Sequence, residues 1–180
     1  MAADLDKLVI DMKAQVVELV TRCKTRGIEM RPNSGLRDPF DQARLWRQSR
    51  TREEIMAKIA QLGAAGASFL AHCLDSVGPQ HGEHVTDTPP GYSWHQWGEA
   101  LDCFWVVDGE AEWSTQKLVD GLNGFRVYAD EARDIGLTAG GHWKRFKDWP
   151  HVQLRATSNV GDAMSVQEID AEMARRFGGG

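Results

Sequence analysis

The stretch SWHQWGEALD, residues 93–102, decides how the rest of the chain is read. It places His95 and Asp102 seven residues apart, with Gly98 between them. An odd separation along a regular strand points two side chains to opposite faces, so a common target requires a bend. Gly98 is the residue able to supply it. His95 then lies on the approach and Asp102 near the start of a strand, because residues 100–107, ALDCFWVV, have the branched and aromatic content of a buried strand. Asp108 and Gly109 supply the turn that ends it.

The partner stretch is HWKRFKDWPHVQL, residues 142–154, preceded by Gly140 and Gly141. Asp148 stands three residues before His151. Pro150 biases Trp149 toward an extended conformation, and His151 is expected to open a strand neighbouring that of Asp102. Two imidazoles and one carboxylate, His95, Asp102 and His151, match the three protein ligands of a catalytic zinc, whose fourth position is left to water. Asp148 is then free to act as a base. Zinc lowers the pKa of its water to roughly 7 and polarises a carbonyl. A carboxylate beside the metal takes the water's proton and passes it to a leaving amine.

Each residue also has a plainer reading. A lone histidine near tryptophans is more often a packed core residue than a ligand, and Asp148 taken alone is a salt-bridged surface carboxylate. Only the joint pattern favours the metal. His81 and His84, in HGEH, have no third ligand nearby and are expected to be exposed loop residues. Among the seven tryptophans, Trp94, Trp97 and Trp149 are candidates to line a cleft, while Trp105 and Trp113 are assigned to the core.

Composition narrows the function classes. With 180 residues and 42% hydrophobic content, the chain can bury a core without disulfide or metal staples. A net charge of −5, with Lys and Arg scattered, gives no electrostatic footprint for nucleic acid. Cys23, Cys73 and Cys103 are widely spaced and form no CxxC pair, so they are read as reduced, partly buried thiols. The acidic, amphipathic start lacks the form of a signal peptide, and no apolar run approaches the ~20 residues that span a membrane. The expectation is a chain made in the cytoplasm that reaches any outside substrate after release.

Along the chain, Leu5, Leu8, Val9, Met12, Val16, Leu19, Val20 and Cys23 recur at helical spacing, with Asp4 as N-cap and Gly27 as the stop. Residues 28–31 form a short strand, and a turn cluster then delivers Arg37. Asp38 and Pro39 start a helix running to about Gln48. Thr51 and Glu54 make a capping box for another. Residues 67–77 read as helix and 78–91 as loop. Ser114 is expected to cap a helix carrying Leu118, Val119, Leu122, Phe125, Ala129, Ala132 and Ile135 to Gly136. Ser165 caps a last helix through Phe177, and the three closing glycines are expected to be disordered.

Three blocks of this sequence together resemble a known family. His95, Gly98, Ala100 and Asp102 resemble the opening motif of the metallopeptidases of the D-alanyl-D-alanine carboxypeptidase and L-alanyl-D-glutamate endopeptidase family. GGHWKRFKDWPHVQL is similar to that family's closing motif, in the branch that includes phage endolysins, and Arg37, within SGLRDPFDQARLWRQSRT, matches its substrate-side arginine segment. The resemblance spans residues 31–154 in the family's order. It implies a Hedgehog/DD-peptidase-like α+β fold, a small antiparallel sheet flanked by helices in a single domain. It implies Zn2+ held by His95, Asp102 and His151, with Asp148 as general base. It further implies that Arg37 and Ser93 hold a substrate carboxylate or nearby polar group, a task suited to the planar guanidinium fork. The plainer readings are that Arg37 pairs with Asp38 or Asp41 and that Ser93 caps a turn.

The partner so implied is a peptidoglycan stem peptide. A catalytic region over residues 1–155 is expected, with a helical insertion at 53–85 near the cleft and a helical tail at 156–180. Two features depart from the family's pattern: the long segment 53–85, expected as a wall or lid, and His142, which stands where an aspartate is expected. The leading expectation is a monomeric, endolysin-type L-alanyl-D-glutamate endopeptidase that acts on the cell wall after phage lysis. A D-alanyl-D-alanine carboxypeptidase or dipeptidase is the runner-up. The rival from another class is a non-catalytic, zinc-bearing cell-wall-binding module, against which the unligated Asp148 speaks.

Overall fold

The computed structural model describes residues 3–179 and contains six α-helices and a small antiparallel sheet. The strands are β1 (Glu29–Ser34), β2 (Ala100–Val107), β3 (Glu110–Glu112), β4 (Thr138–Ala139) and β5 (His151–Gln153). The helices are α1 (Ile10–Thr25), α2 (Pro39–Arg47), α3 (Arg52–Ala64), α4 (Ser68–Ser76), α5 (Gly124–Asp134) and α6 (Val166–Phe177). The chain divides into two compact units. One comprises residues up to Leu36 together with Trp97–Ala156; the other comprises Arg37–Gln96 and the residues from Thr157 onward. The division falls inside a short 3-10 helix, Trp94–Trp97. Among the described residues no helix is long and apolar enough to cross a membrane.

In the first unit β2 is central, paired with β1 on one edge and with β5 and then β3 on the other; β4 extends the sheet beyond β5. Strand alternation divides its residues between two faces. Leu101, Cys103 and Trp105 are buried with Met12, Val16, Leu19 and Cys23 of α1 and with Phe125, Tyr128, Ala129 and Ala132 of α5. Asp102 and Phe104 lie on the opposite, partly exposed face. Register sets Asp102 opposite His151 and Ala100 opposite Gln153. β1 continues through Pro32, beyond the end expected from sequence. Among the described strands it pairs with β2 alone, at the edge of the sheet, and the register shifts between Pro32 and Ser34, so the missing proline N–H disrupts no interior ladder.

The second unit is helical. Asp38 caps α2 by accepting from the Phe40 N–H, and Thr51 with Glu54 forms the anticipated capping box of α3. α6 opens with its own box, Ser165 and Glu168, and packs on α4, where the buried Asp170 carboxylate accepts from the Leu70 N–H at 2.8 Å. The C-terminal helix thus belongs to the same core as α2 to α4. The segment 78–91 holds no helix or strand, and His81 and His84 are exposed in it, as read from sequence.

Three expectations are corrected. Asp4 does not cap α1; it caps a separate 3-10 turn, Leu5–Lys7, and α1 starts after Val9. No helix begins at Ser114. Asp120 and Gly121 both adopt positive φ in a tight turn closed by Val119 and Leu122, and α5 starts only after Asn123, whose side chain accepts from the Arg126 N–H. Two consecutive left-handed residues break a helical path whatever the apolar spacing suggests. Trp113, assigned to the core, is 53% exposed and lies against Phe104, whereas Trp105 is buried as expected. Gly178 closes α6; the expectation of disorder at Gly180 falls outside the described residues. All three cysteines are buried, and burial pushes each thiol to about 12, which keeps it protonated.

Packing at the head of α5 is close. A Cβ on Gly124 would lie 2.4 Å from the Trp105 ring, with no flexible neighbour to yield. Gly63, inside α3, has nothing within 4 Å of the same position. Gly124→Ala is therefore expected to lower stability by about 1–3 kcal/mol through overpacking. Gly63→Ala is expected to raise it by roughly 0.5–1 kcal/mol through lost chain entropy in the unfolded state. Urea denaturation of the two variants checks both signs.

Candidate metal centre

The residues singled out in 93–102 occupy two consecutive elements. Trp94–Trp97 is one turn of 3-10 helix, opened by Ser93, whose Oγ accepts from the His95 N–H at 3.4 Å. Gly98 follows with φ +71°, a left-handed conformation that favours glycine. A Cβ there would sit 3.2 Å from the Lys7 carbonyl oxygen. This is the bend that the odd spacing required, and it lets the helix deliver His95 while β2 delivers Asp102. His95, Asp102 and His151 each offer one ligand atom, and the three atoms lie within 4.8 Å of one another.

This set fits zinc. In a tetrahedral site with bonds of about 2.0–2.1 Å, neighbouring donor atoms are ~3.3 Å apart. Asp102 Oδ1 and His151 Nδ1 stand 3.1 Å apart already. The donors are nitrogen and oxygen, the ligand number is that of a catalytic rather than a structural zinc site, and His95 and His151 are nearly dry at 3% and 6% exposure. Asp102 is the member with appreciable access to solvent. Burial works to lower the pKa of His151, but the hydrogen bond and charge of Asp102, the Gln153 carboxamide and the charge of Asp148 outweigh it and hold the ring above the ordinary imidazole value.

Asp148 lies in a turn closed by the His151 N–H on the Asp148 carbonyl at 3.2 Å, and its own N–H bonds the Gly140 carbonyl at 3.1 Å. The paired glycines make this return possible by their lack of bulk. A Cβ on Gly140 would lie 2.3 Å from the Asp148 carbonyl oxygen, and one on Gly141 2.6 Å from the Trp149 ring. Trp143 rests against the His151 ring, with centroids 5.2 Å apart. His142, the departure noted in sequence, turns to Asp130 of α5 at 3.1 Å.

The two other predicted residues are held by buried amides. The Arg37 N–H bonds the His95 carbonyl at 3.1 Å, and its Nη1 donates to Gln42 Oε1 at 2.9 Å. Gln42, 1% exposed, also accepts from Gln96 and donates to the Thr88 carbonyl. Gln96 in turn accepts from the Ser93 N–H. Asp38 is engaged as a cap and Asp41 pairs with Arg44. Ser93 plays the turn-capping part that its plainer reading gave it. Sequence reading passed over Gln42, Gln96 and Gln153. Gln153 was within reach, since a strand places residues two apart on one face and His151 was already assigned.

The model of the family described as "VanY: D-alanyl-D-alanine carboxypeptidase" matches residues 6–137, which include Arg37, Ser93, His95 and Asp102 and stop short of Asp148 and His151. The chain is 25% identical over 155 residues to the peptidoglycan L-alanyl-D-glutamate endopeptidase CwlK of Bacillus subtilis (strain 168), covering 84% of this chain and 74% of that protein. Two solved structures are also similar. The Serratia marcescens L-Ala D-Glu endopeptidase ChiX shares 19% identity over 84% of this chain and 83% of its own, with a TM-score of 0.43. A mutant of the vancomycin resistance D,D-pentapeptidase VanY from a VanB-type cassette, in complex with Zn(II), shares 16% identity over 91% of this chain and 78% of its own, with a TM-score of 0.45. The family match covers well over half of the chain, and the protein therefore belongs to the VanY D-alanyl-D-alanine carboxypeptidase family of peptidases.

Proposed function

We propose that the protein is a zinc-dependent peptidase that hydrolyses a peptide bond in peptidoglycan stem peptides, acting as a monomer at the cell wall, and that the bond is the L-alanyl-D-glutamate linkage. The observation that carries the reading is the convergence of His95, Asp102 and His151, with Asp148 three residues before the last of them. The choice of bond is supported by the curated relative, a peptidoglycan L-alanyl-D-glutamate endopeptidase.

When bound, zinc supplies a Lewis acid that polarises the scissile carbonyl and acidifies water. The chain's residues do the remainder. His95, Asp102 and His151 hold the ion. Asp148 accepts the proton of the attacking water and returns it to the leaving amine, so that the peptide is cut into a free carboxylate and a free amine with no net proton change at the enzyme. Arg37, braced by Gln42, presents a guanidinium suited to a substrate carboxylate. Ser93 keeps the turn that aims His95. A second reading, removal of a C-terminal D-alanine, is favoured by the family description itself and differs in which carboxylate Arg37 receives.

Mass spectrometry of digested peptidoglycan separates the two: new D-glutamate amino termini are expected, and free D-alanine without cross-strand fragments would sink the endopeptidase assignment. Asp148→Ala is expected to retain zinc by elemental analysis while turnover falls by roughly 10²–10⁴-fold. If wild type and variant bind zinc equally and neither digests cell walls, the binding-module reading wins. Gly140→Ala, which collides with the Asp148 backbone, should likewise lose activity while leaving His95 and Asp102 in place. Soaking with a chelator should abolish wall digestion, and added zinc should restore it.

A further inference from the structure

Gln153 is 1% exposed and belongs to none of the roles assigned so far. It follows His151 by two residues in β5, so both side chains leave the same face of the strand. His151 Nε2 lies 2.9 Å from Gln153 Oε1, while His151 Nδ1 faces Asp102 Oδ1 at 3.1 Å. A carboxamide can present either end to a ring, and which end faces His151 is decided on its far side. Gln153 Nε2 donates to the Arg155 carbonyl at 2.6 Å. A carbonyl accepts and never donates, so the amide nitrogen must face Arg155 and the amide oxygen must face the imidazole. Arg155 is itself anchored, through a two-point ion pair with Glu99, at the mouth of β2.

We infer that Gln153 is a positioning residue for the metal centre: its amide oxygen holds the His151 proton on Nε2 and so leaves the Nδ1 lone pair as the ligand. The chain of hydrogen bonds runs from the Arg155 carbonyl through the Gln153 amide to the ring, and each link admits one direction. Outer partners of this kind orient a ligating histidine and raise its basicity. The carboxamide does so without adding charge to a dry pocket already holding Asp102. This inference rests on the zinc-site reading above and concerns how one of its ligands is prepared.

The test uses the full chain and zinc alone. Gln153→Met, which keeps the length and removes the acceptor, is expected to weaken zinc binding by about 10–100-fold in a chelator competition. Gln153→Glu, which keeps an acceptor for the ring but loses the donor to the Arg155 carbonyl and adds a charge, is expected to recover part of that loss. In the zinc-loaded wild type, nitrogen-15 spectra of the histidine rings should show a hydrogen-bonded, slowly exchanging Nε2 proton on His151. In Gln153→Met that proton should exchange rapidly. A Met variant that binds zinc as tightly as wild type overturns the inference while leaving the zinc site intact. A wild-type ring protonated at Nδ1 when zinc is bound overturns it without recourse to any variant, even one that fails to fold. A wild type that binds no zinc overturns the functional reading and this inference together.

Discussion

The pairing of β2 with β5 is the constraint on which the candidate centre depends. Antiparallel register sets Asp102 directly opposite His151, and cross-strand neighbours stand close enough for their side chains to meet. A slip of one residue would send both side chains to the core face and bring Leu101 or Val152 out in their place. What prevents the slip is the burial of Leu101, Cys103, Trp105 and Val152 against α1 and α5. The geometry of the candidate centre is therefore held by the hydrophobic core on the other side of the same sheet.

Small residues do much of the remaining positioning, each for a different steric reason. Gly98 supplies a left-handed bend that joins the helix of His95 to the strand of Asp102. Gly140 and Gly141 are needed for their lack of bulk, because the Asp148 backbone and the Trp149 ring occupy the space their side chains would fill. Gly124 makes room for Trp105 beneath the sheet. A buried amide system completes the arrangement: Gln42 and Gln96 fix Arg37 and the Ser93 turn, and Gln153 fixes His151. Neutral carboxamides suit this task because they satisfy buried hydrogen bonds without adding charge to a dry interior.

Local signals read from sequence held where the cause was local. The Thr51/Glu54 box and the Asp38 and Ser165 caps stand where expected because capping is decided within four residues. The strand over residues 100–107 has the extent predicted from its composition. Apolar spacing alone misled at residues 114–122, where the positive-φ pair Asp120 and Gly121 outweighs it and leaves Leu118 62% exposed. Trp113 has a core residue type, yet it stands just past the three-residue edge strand β3, lies against Phe104 and is 53% exposed.

The sequence by itself determined the candidate ligand types, the order of the three blocks, the bend at Gly98 and the place of a carboxylate three residues before His151. These are properties of spacing and of single residues, and they survive without knowledge of what packs on what. Tertiary structure alone decided that Asp102 and His151, nearly fifty residues apart, face each other at 3.1 Å, and that His151 turns its Nε2 to Gln153. It also decided that Arg37 is braced by Gln42 and that the tail helix shares a core with α4. The physical reason is that register and amide orientation are settled by long-range burial and by hydrogen-bond partners distant in the chain, which no local pattern encodes.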